Sequence, residues 1–172
     1  MNSASNEKPI GIFDSGIGGI TVLKALLKEF PSENFIYLGD TARLPYGSKS
    51  PETIQKYTQQ NLEFLLKKEV KAFVIACNSA SSHYGLHAFK GLPVYNVISP
   101  GAQTAVQATK NKKIGVLGTQ ATIKSQSYPR AIHHLDPQME VISQACPLFV
   151  PLAEEGLIED EVTRIIGERY LT

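Results

Sequence analysis

Residues 9–21 read PIGIFDSGIGGIT, and this stretch decides the fold class. A short apolar run ends at Asp14, a glycine-rich turn follows, and apolar side chains then recur at helical spacing between Ile20 and Phe30. Residues 113–125, KIGVLGTQATIKS, have the same layout. The pattern predicts a unit of strand, tight turn and helix that occurs twice in the chain.

Strands and helices alternate through the rest of the sequence. Ser50 followed by Pro51 is typical of a helix start. Further strands are predicted at residues 35–40, 71–76, 93–98 and 139–145, and a last helix at 159–171. We therefore expect an α/β fold in which mostly parallel sheets are flanked by helices, arranged as two pseudo-symmetric lobes. We place the lobes at residues 1–98 and 99–172, and we expect the second to be incomplete because only two strands in it are clear.

The composition narrows the class of protein. Of the 172 residues, 42% are apolar and 19% are charged, as in a globular domain. The net charge is +1 without a long run of Lys or Arg, which argues against nucleic acid or an anionic membrane as the partner. We find neither a signal-peptide pattern nor a run of about 18 apolar residues. Cys77 and Cys146 are typical of reduced thiols, so we expect a cytoplasmic protein.

Polar segments follow the predicted strands. They are residues 14–16, 45–47, 77–79 and 119–122. Ligands of open parallel sheets bind beyond the carboxyl ends of the strands. Aspartate, serine, cysteine, asparagine and threonine side chains at this edge predict a site for a small polar substrate.

Two familiar kinds of site fit the sequence poorly. A dinucleotide fingerprint that starts at Gly16 has Thr21 where the third glycine belongs, and no lysine of a P-loop follows Gly19. The glycine-rich turn can still present backbone N–H groups to an anion, such as a carboxylate. His83 and His87 share a predicted helix face, but zinc requires three or four ligands, so we expect no metal site.

Two interpretations of Cys77 remain open on these grounds. Most free cysteines are small buried apolar residues. However, Cys77 lies at a strand end and opens a predicted helix, whose N-terminus lowers the pKa of a thiol. Asp14 is close enough in the predicted sheet to act as an acid–base partner, although its charge would raise the thiol pKa. Such a pair suits proton transfer at a carbon next to a carboxylate.

Five segments, taken together and in order, resemble the bacterial glutamate racemases. These segments are GIFDSGIGG, YLGDTARLPYGSKS, ACNSAS, VLGTQATIKS and ACPLFVPLAEEG. The resemblance implies a cofactor-independent enzyme that interconverts L- and D-glutamate, and D-glutamate is a building block of peptidoglycan. In this family the substrate lies between two α/β lobes, and two cysteines exchange the α-proton from opposite faces. The resemblance implies glutamate as the small-molecule partner and is compatible with a homodimer.

The resemblance also implies roles for individual residues. Cys77 corresponds to the first catalytic cysteine, Asp14 to its acid–base helper, and Glu154 to a carboxylate that assists the second cysteine, with Glu155 as the adjacent alternative. The family usually has threonine at position 79, where serine keeps the hydroxyl. The residues expected to contact the substrate are Asp14, Ser15, Pro45, Tyr46, Gly47, Asn78, Ser79, Thr119 and Thr122.

One departure from the family keeps other functions open. The family's second cysteine lies in a Gly-Cys-Thr-His-Tyr-Pro segment, which this sequence lacks, and Cys146 belongs to the earlier ACPLF motif. We therefore expect the 172 residues to be part of a longer racemase and to lack the second base. The alternatives are an aspartate or other amino-acid racemase of the same superfamily, or a non-catalytic binding protein that retains half of the site.

Overall fold

The computed structural model describes residues 7–172, so the first six residues of the predicted first lobe lie outside the described residues. The first ten elements are β1 (Ile10–Asp14), α1 (Ile20–Glu29), β2 (Phe35–Gly39), a 3₁₀ turn (Tyr46–Ser48), α2 (Pro51–Leu66), β3 (Ala72–Ile75), α3 (Asn78–His83), β4 (Ala88–Phe89), β5 (Leu92–Asn96) and α4 (Ile98–Ala108). The elements that follow are β6 (Lys113–Gly118), α5 (Gln120–Ser125), α6 (Ser127–Leu135), β7 (Glu140–Ala145), α7 (Phe149–Glu154) and α8 (Glu161–Leu171).

The strands form two sheets. The first has the order β2-β1-β3-β5-β4, and all of its pairs are parallel except the short antiparallel pair of β4 with β5. The second consists of β6 and β7, which are parallel. The predicted α/β fold with mostly parallel strands and flanking helices is confirmed.

Strand register brings the polar segments of the first sheet together. Asp14 pairs with Gly39, and Phe13 pairs with Ile75. Parallel strands end at one edge of a sheet, so Asp14 and Cys77, two residues after β3, come to that edge. The register of the parallel strands therefore brings Asp14 and Cys77 together at the candidate site.

Helix α2 begins as its sequence predicts and covers the first sheet. The Ser50 hydroxyl accepts a hydrogen bond from the Thr53 N–H at 3.3 Å, and Pro51 occupies the first turn. Ile54, Leu62 and Leu65 are fully buried on one face of this helix and join the main core. Full burial of one such side chain stabilises the fold by about 1.5–3 kcal/mol.

Two expectations about the elements need correction. The strand predicted at 93–98 ends at Asn96, because the Asn96 side chain accepts a hydrogen bond from the Ile98 N–H at 3.0 Å and α4 begins there. The helix face predicted to carry both His83 and His87 is also wrong, because α3 ends at His83 and His87 lies beyond it, just before β4.

The apolar face of α1 contains no buried residue, and Phe30 is 51% exposed. This face lines an apolar groove of about 860 Å³ beside the first sheet. Within residues 7–172, we find no helix with the length and apolar character needed to cross a membrane.

Candidate functional site

The glycine-rich turn after β1 wraps around the Asp14 carboxylate. Its Oδ2 atom accepts hydrogen bonds from the Gly16 and Gly19 N–H groups, each at 3.1 Å. A β-carbon on Gly19 would lie 2.6 Å from that of Asp14 and 2.9 Å from that of Ala76, so only glycine fits. The turn was expected to present N–H groups to a bound anion, but here two of them bind the chain's own carboxylate. The turn therefore holds Asp14 in place.

Cys77 caps helix α3 and is nearly buried. Its side chain is 5% exposed, its thiol donates to Ser15 Oγ at 3.4 Å, and Sγ accepts from the Ala80 N–H at 3.5 Å. Burial, followed by the Asp14 charge, raises the pKa of the Cys77 thiol, although its hydrogen bonds with Ser15 and Ala80 oppose the shift. The expected lowering by the helix N-terminus is thus outweighed, and Cys77 rests as a thiol at neutral pH.

Side chains from the second sheet meet the Cys77 segment directly. Ser79 Oγ lies 2.8 Å from Thr119 Oγ1, which lies 3.1 Å from Thr122 Oγ1. Thr119 also caps α5, because its Oγ1 accepts from the Thr122 N–H at 3.3 Å. A β-carbon on Gly47 would lie 2.5 Å from Thr119 Cβ. Four of the predicted substrate-contact residues therefore converge on one point between the sheets.

The 45–47 segment contributes differently from what its sequence suggested. The Tyr46 side chain is 1% exposed, and its hydroxyl donates to the Asp40 carboxylate. Burial, together with this hydrogen bond and the Asp40 charge, raises the pKa of Tyr46. The Tyr46 side chain therefore points away from any ligand in this arrangement. Pro45 is exposed beside it.

A tyrosine that the sequence analysis missed holds Asn78. Asn78 is exposed, and its Oδ1 accepts a hydrogen bond at 2.7 Å from the Tyr128 hydroxyl on α6. The Tyr128 ring packs on Gly101, where a β-carbon would lie 3.1 Å from the ring. Asn78 and Tyr128 line a cavity of about 430 Å³ together with Thr119, Thr122 and Cys146. Tyr128 belongs to no sequence motif. It reaches Asn78 only because the packing of α6 brings it here.

Tyr37 is a second residue that sequence reasoning did not find. Its hydroxyl donates to the Gly16 carbonyl at 3.0 Å. Burial, followed by the charges of Asp14 and Cys77, raises the pKa of Tyr37 to about 12. In the sequence, Tyr37 is one of several large side chains in strand β2 and carries no distinguishing signal.

The Glu154 carboxylate faces the first-sheet turn from the end of α7. A β-carbon on Gly16 would lie 3.7 Å from Glu154 Oε1 and 4.0 Å from Asp14 Oδ2. Glu155, the alternative that the sequence offered, directly follows the last residue of α7, and both carboxylates are exposed. The structure therefore brings Glu154 towards Asp14.

Cys146 has different hydrogen-bond partners from Cys77. It is buried after β7, and its thiol donates to the Gln144 carbonyl at 3.7 Å. Burial raises its pKa. Between residues 7 and 172, no three His, Cys, Asp or Glu side chains are grouped so that they could hold a metal ion.

Comparison with known proteins places this geometry in a family. The Asp/Glu/hydantoin racemase family matches residues 17–167. A curated glutamate racemase of Geobacter metallireducens is 49% identical over 168 residues, which are 96% of this chain and 62% of that protein. One of Chlorobaculum tepidum is 51% identical over 175 residues, 99% of this chain and 64% of that protein.

Solved structures agree. A glutamate racemase of Francisella tularensis in complex with D-glutamate superposes with a TM-score of 0.89 at 42% identity, and covers 96% of this chain and 63% of that one. A glutamate racemase of Bacillus anthracis gives 0.89 at 37% identity, with 96% and 63% covered. This chain spans 62–64% of the length of the two curated relatives. These matches confirm the resemblance found in the sequence, and the chain belongs to the Asp/Glu/hydantoin racemase family.

Proposed function

We propose that this chain supplies one proton-transfer face of a cofactor-independent glutamate racemase, which provides D-glutamate for peptidoglycan. The observation that carries the proposal is the contact of the Cys77 thiol with Ser15 beside the enclosed Asp14 carboxylate. Two polar residues from the second half of the chain lie near these segments: Thr119 contacts Ser79, and the Glu154 carboxylate lies beside Gly16. The roughly 50% identity to curated glutamate racemases supports glutamate over other amino acids as the substrate.

In the proposed mechanism, Cys77 exchanges a proton with the substrate α-carbon. The resting thiol first loses its proton, and we assign Asp14 as the group that accepts or orients it. The thiolate then takes the α-proton, so that the C–H bond breaks, an S–H bond forms and the electron pair stays on the substrate. A proton delivered to the opposite face completes racemisation, and Glu154 assists the group that delivers it.

The substrate contacts follow from the convergence of the polar segments. We assign Ser15, Asn78 and Ser79 on the first-sheet side, and Thr119 and Thr122 on the other, and we call the space between them the substrate cleft. Asn78, Thr119 and Thr122 line the cavity of about 430 Å³, while Ser15 contacts the Cys77 thiol and Ser79 contacts Thr119. These groups can hydrogen-bond an amino acid's carboxylates and ammonium group.

The loop at residues 45–47 contributes backbone contacts in this proposal. The Gly47 backbone lies against Thr119, and the Tyr46 side chain points into the core. Pro45 precedes them and is exposed.

We assign Cys146 no role in proton transfer. Its thiol is engaged by the Gln144 carbonyl, and burial keeps it protonated. The second proton donor is therefore a different group from Cys146.

The proposal extends to organisation and surroundings. We propose lobes at residues 1–98 and 99–172, which the separate sheets support. A net charge of +1 supports a partner other than nucleic acid, and two free cysteines support a cytoplasmic location. Exposed apolar side chains such as Ile142 and Leu171 support a homodimer, which sedimentation would test.

Proton exchange in deuterated water tests the function. We would build a chimera in which this chain replaces the matching 168 residues of the Geobacter relative. The chimera should exchange the α-proton of glutamate for deuterium and interconvert its enantiomers. Cys77→Ala should abolish both activities, whereas the matched Cys146→Ala should retain most of them. Binding of glutamate without exchange would instead support a binding protein, and preference for aspartate would change the substrate.

A further inference from the structure

A buried polar cluster lies beneath the loop that precedes α2. We call it the Asp40 cluster, and its members are Asp40, Arg43, Tyr46 and Asn61. Asp40 is 8% exposed, accepts from Arg43 Nε at 3.0 Å and forms an ion pair with Arg43 Nη2 at 2.8 Å. The other Asp40 oxygen accepts from the Tyr46 hydroxyl and from Asn61 Nδ2, the latter at 3.3 Å. The cluster therefore joins both ends of the loop.

Helix α2 provides the fixed base for this cluster. Asn61 on α2 donates to the Tyr46 hydroxyl at 3.0 Å and accepts from Arg43 Nη2 at 2.9 Å. The Arg43 guanidinium also lies 4.4 Å from the centre of the Tyr57 ring. Because α2 packs on the main core through fully buried side chains, these contacts tie the loop to that core.

The contacts of the cluster keep the Asp40 carboxyl in its ionised form. Burial raises the pKa of the Asp40 carboxyl, but the hydrogen bonds from its three neighbours and the Arg43 charge outweigh burial, so the net pKa is below the ordinary value. Asp40 stays ionised at neutral pH and keeps its acceptors available to Tyr46. A buried network in which each member has a partner favours one loop conformation.

The loop ends at the contact between the two sheets. Gly47 directly follows the anchored Tyr46, and its backbone packs so closely on Thr119 that a β-carbon would lie 2.5 Å away. Thr119 in turn lies 2.8 Å from Ser79, two residues after Cys77. A shift of Tyr46 therefore moves Gly47 against the side chains of the candidate site.

We propose that Asp40 and Tyr46 are positioning residues. They hold the 45–47 backbone against Thr119 and thereby fix the shape of the substrate cleft. Their side chains act through Gly47 and do not touch the substrate. The cleft's function in this inference rests on the proposed racemase activity, whereas the anchoring of the loop does not. Loss of the Tyr46 hydroxyl should loosen the loop and weaken substrate binding more than turnover.

The chain itself offers a matched control. Tyr84 is buried in the same core, but its hydroxyl has no hydrogen-bond partner among the described residues. Tyr46→Phe and Tyr84→Phe each remove one buried hydroxyl, and only the first breaks the Asp40 cluster. In the 172-residue chain, Tyr46→Phe should speed amide hydrogen exchange across residues 41–49 by about 2- to 10-fold, and Tyr84→Phe should leave it unchanged.

Steady-state kinetics in the chimera test the link to the cleft. Tyr46→Phe should raise the KM for glutamate by about 3- to 10-fold and change kcat by less than about 2-fold. A merely structural loss would lower kcat with the amount of folded enzyme and leave KM unchanged. Asp40→Asn, which keeps an acceptor for Tyr46, should raise KM less than Asp40→Ala.

The outcomes separate this inference from the proposed function. An inactive wild-type chimera refutes the proposed racemase activity, and hydrogen exchange at 41–49 then still decides whether the Asp40 cluster anchors the loop. An active chimera in which Tyr46→Phe matches Tyr84→Phe in exchange or in KM overturns the positioning role.

Discussion

Ser79 Oγ lies 2.8 Å from Thr119 Oγ1, so a side chain that follows β3 of the first sheet meets one that follows β6 of the second. Both residues lie at helix starts, where the chain turns away from its strand. The contact joins the two candidate halves of the cleft within two residues of Cys77. Changes at this junction should therefore affect the site and the fold together.

The acidity of Cys77 should respond to Asp14. Asp14→Asn removes the second-largest cause that raises the Cys77 pKa, so the pKa should fall. Alkylation by iodoacetamide, measured at each cysteine by mass spectrometry over a pH series, reports the thiolate fraction. Cys146 serves as an internal control, because burial alone raises its pKa. An unmoved Cys77 profile would contradict the coupling.

Gly47→Ala should destabilise the fold by about 1–3 kcal/mol, because the new β-carbon would lie 2.5 Å from Thr119 Cβ and Cγ2. Urea unfolding measures the loss. Gly85→Ala is the matched control, since nothing lies within 4 Å of a β-carbon there, and it should be neutral or slightly stabilising. Equal effects of the two substitutions would show that the loop can move away from Thr119.

The Tyr128–Asn78 hydrogen bond should contribute about 0.5–1.5 kcal/mol to stability. A double-mutant cycle with Tyr128→Phe and Asn78→Ala isolates this energy, because each single change removes the same contact. Tyr95→Phe, at a tyrosine that is 60% exposed, should have no effect. Strict additivity of the two single changes would mean that the bond contributes nothing in solution.

Lowering the pH should reduce the contribution of Asp40 to the stability of the fold. Its folded pKa is below the ordinary value of about 3.9, so its stabilisation is fully present above that value and is lost as the pH falls through the folded pKa. Asp40→Asn should therefore cost more stability at about pH 6 than at about pH 2, as measured by urea unfolding. A cost independent of pH would show that the carboxylate charge does not matter to the fold.

Much of the fold could be predicted because it is local. The run that ends at Asp14, the turn and the helix from Ile20 are encoded by neighbouring residues, as is the Ser50 cap of α2. The end of β5 was misplaced because the Asn96 side chain competes with the strand ladder and starts α4 early. Periodicity shows which side chains of α1 are apolar but not what covers them, and none of the residues of α1 is buried.

The candidate site divides in the same way. Cys77 and Asp14 were identifiable because each ends a predicted strand, and parallel strands share an edge. Tyr37 and Tyr128 were missed because no local pattern distinguishes them from other tyrosines. Tyr46 was predicted from a motif to contact the substrate, but its side chain is buried in the core and donates a hydrogen bond to Asp40.

The sequence alone determined which elements form and which polar groups follow them, because helix caps, turns and periodicity depend on residues close in the chain. Only the tertiary structure decided the acidity of the Cys77 thiol and the orientation of the Tyr46 side chain. Burial and the Asp14 charge raise the thiol's pKa, and the Asp40 cluster draws the tyrosine inward. Desolvation and buried hydrogen bonds arise between residues far apart in the chain, so they exist only once the fold has brought those residues together.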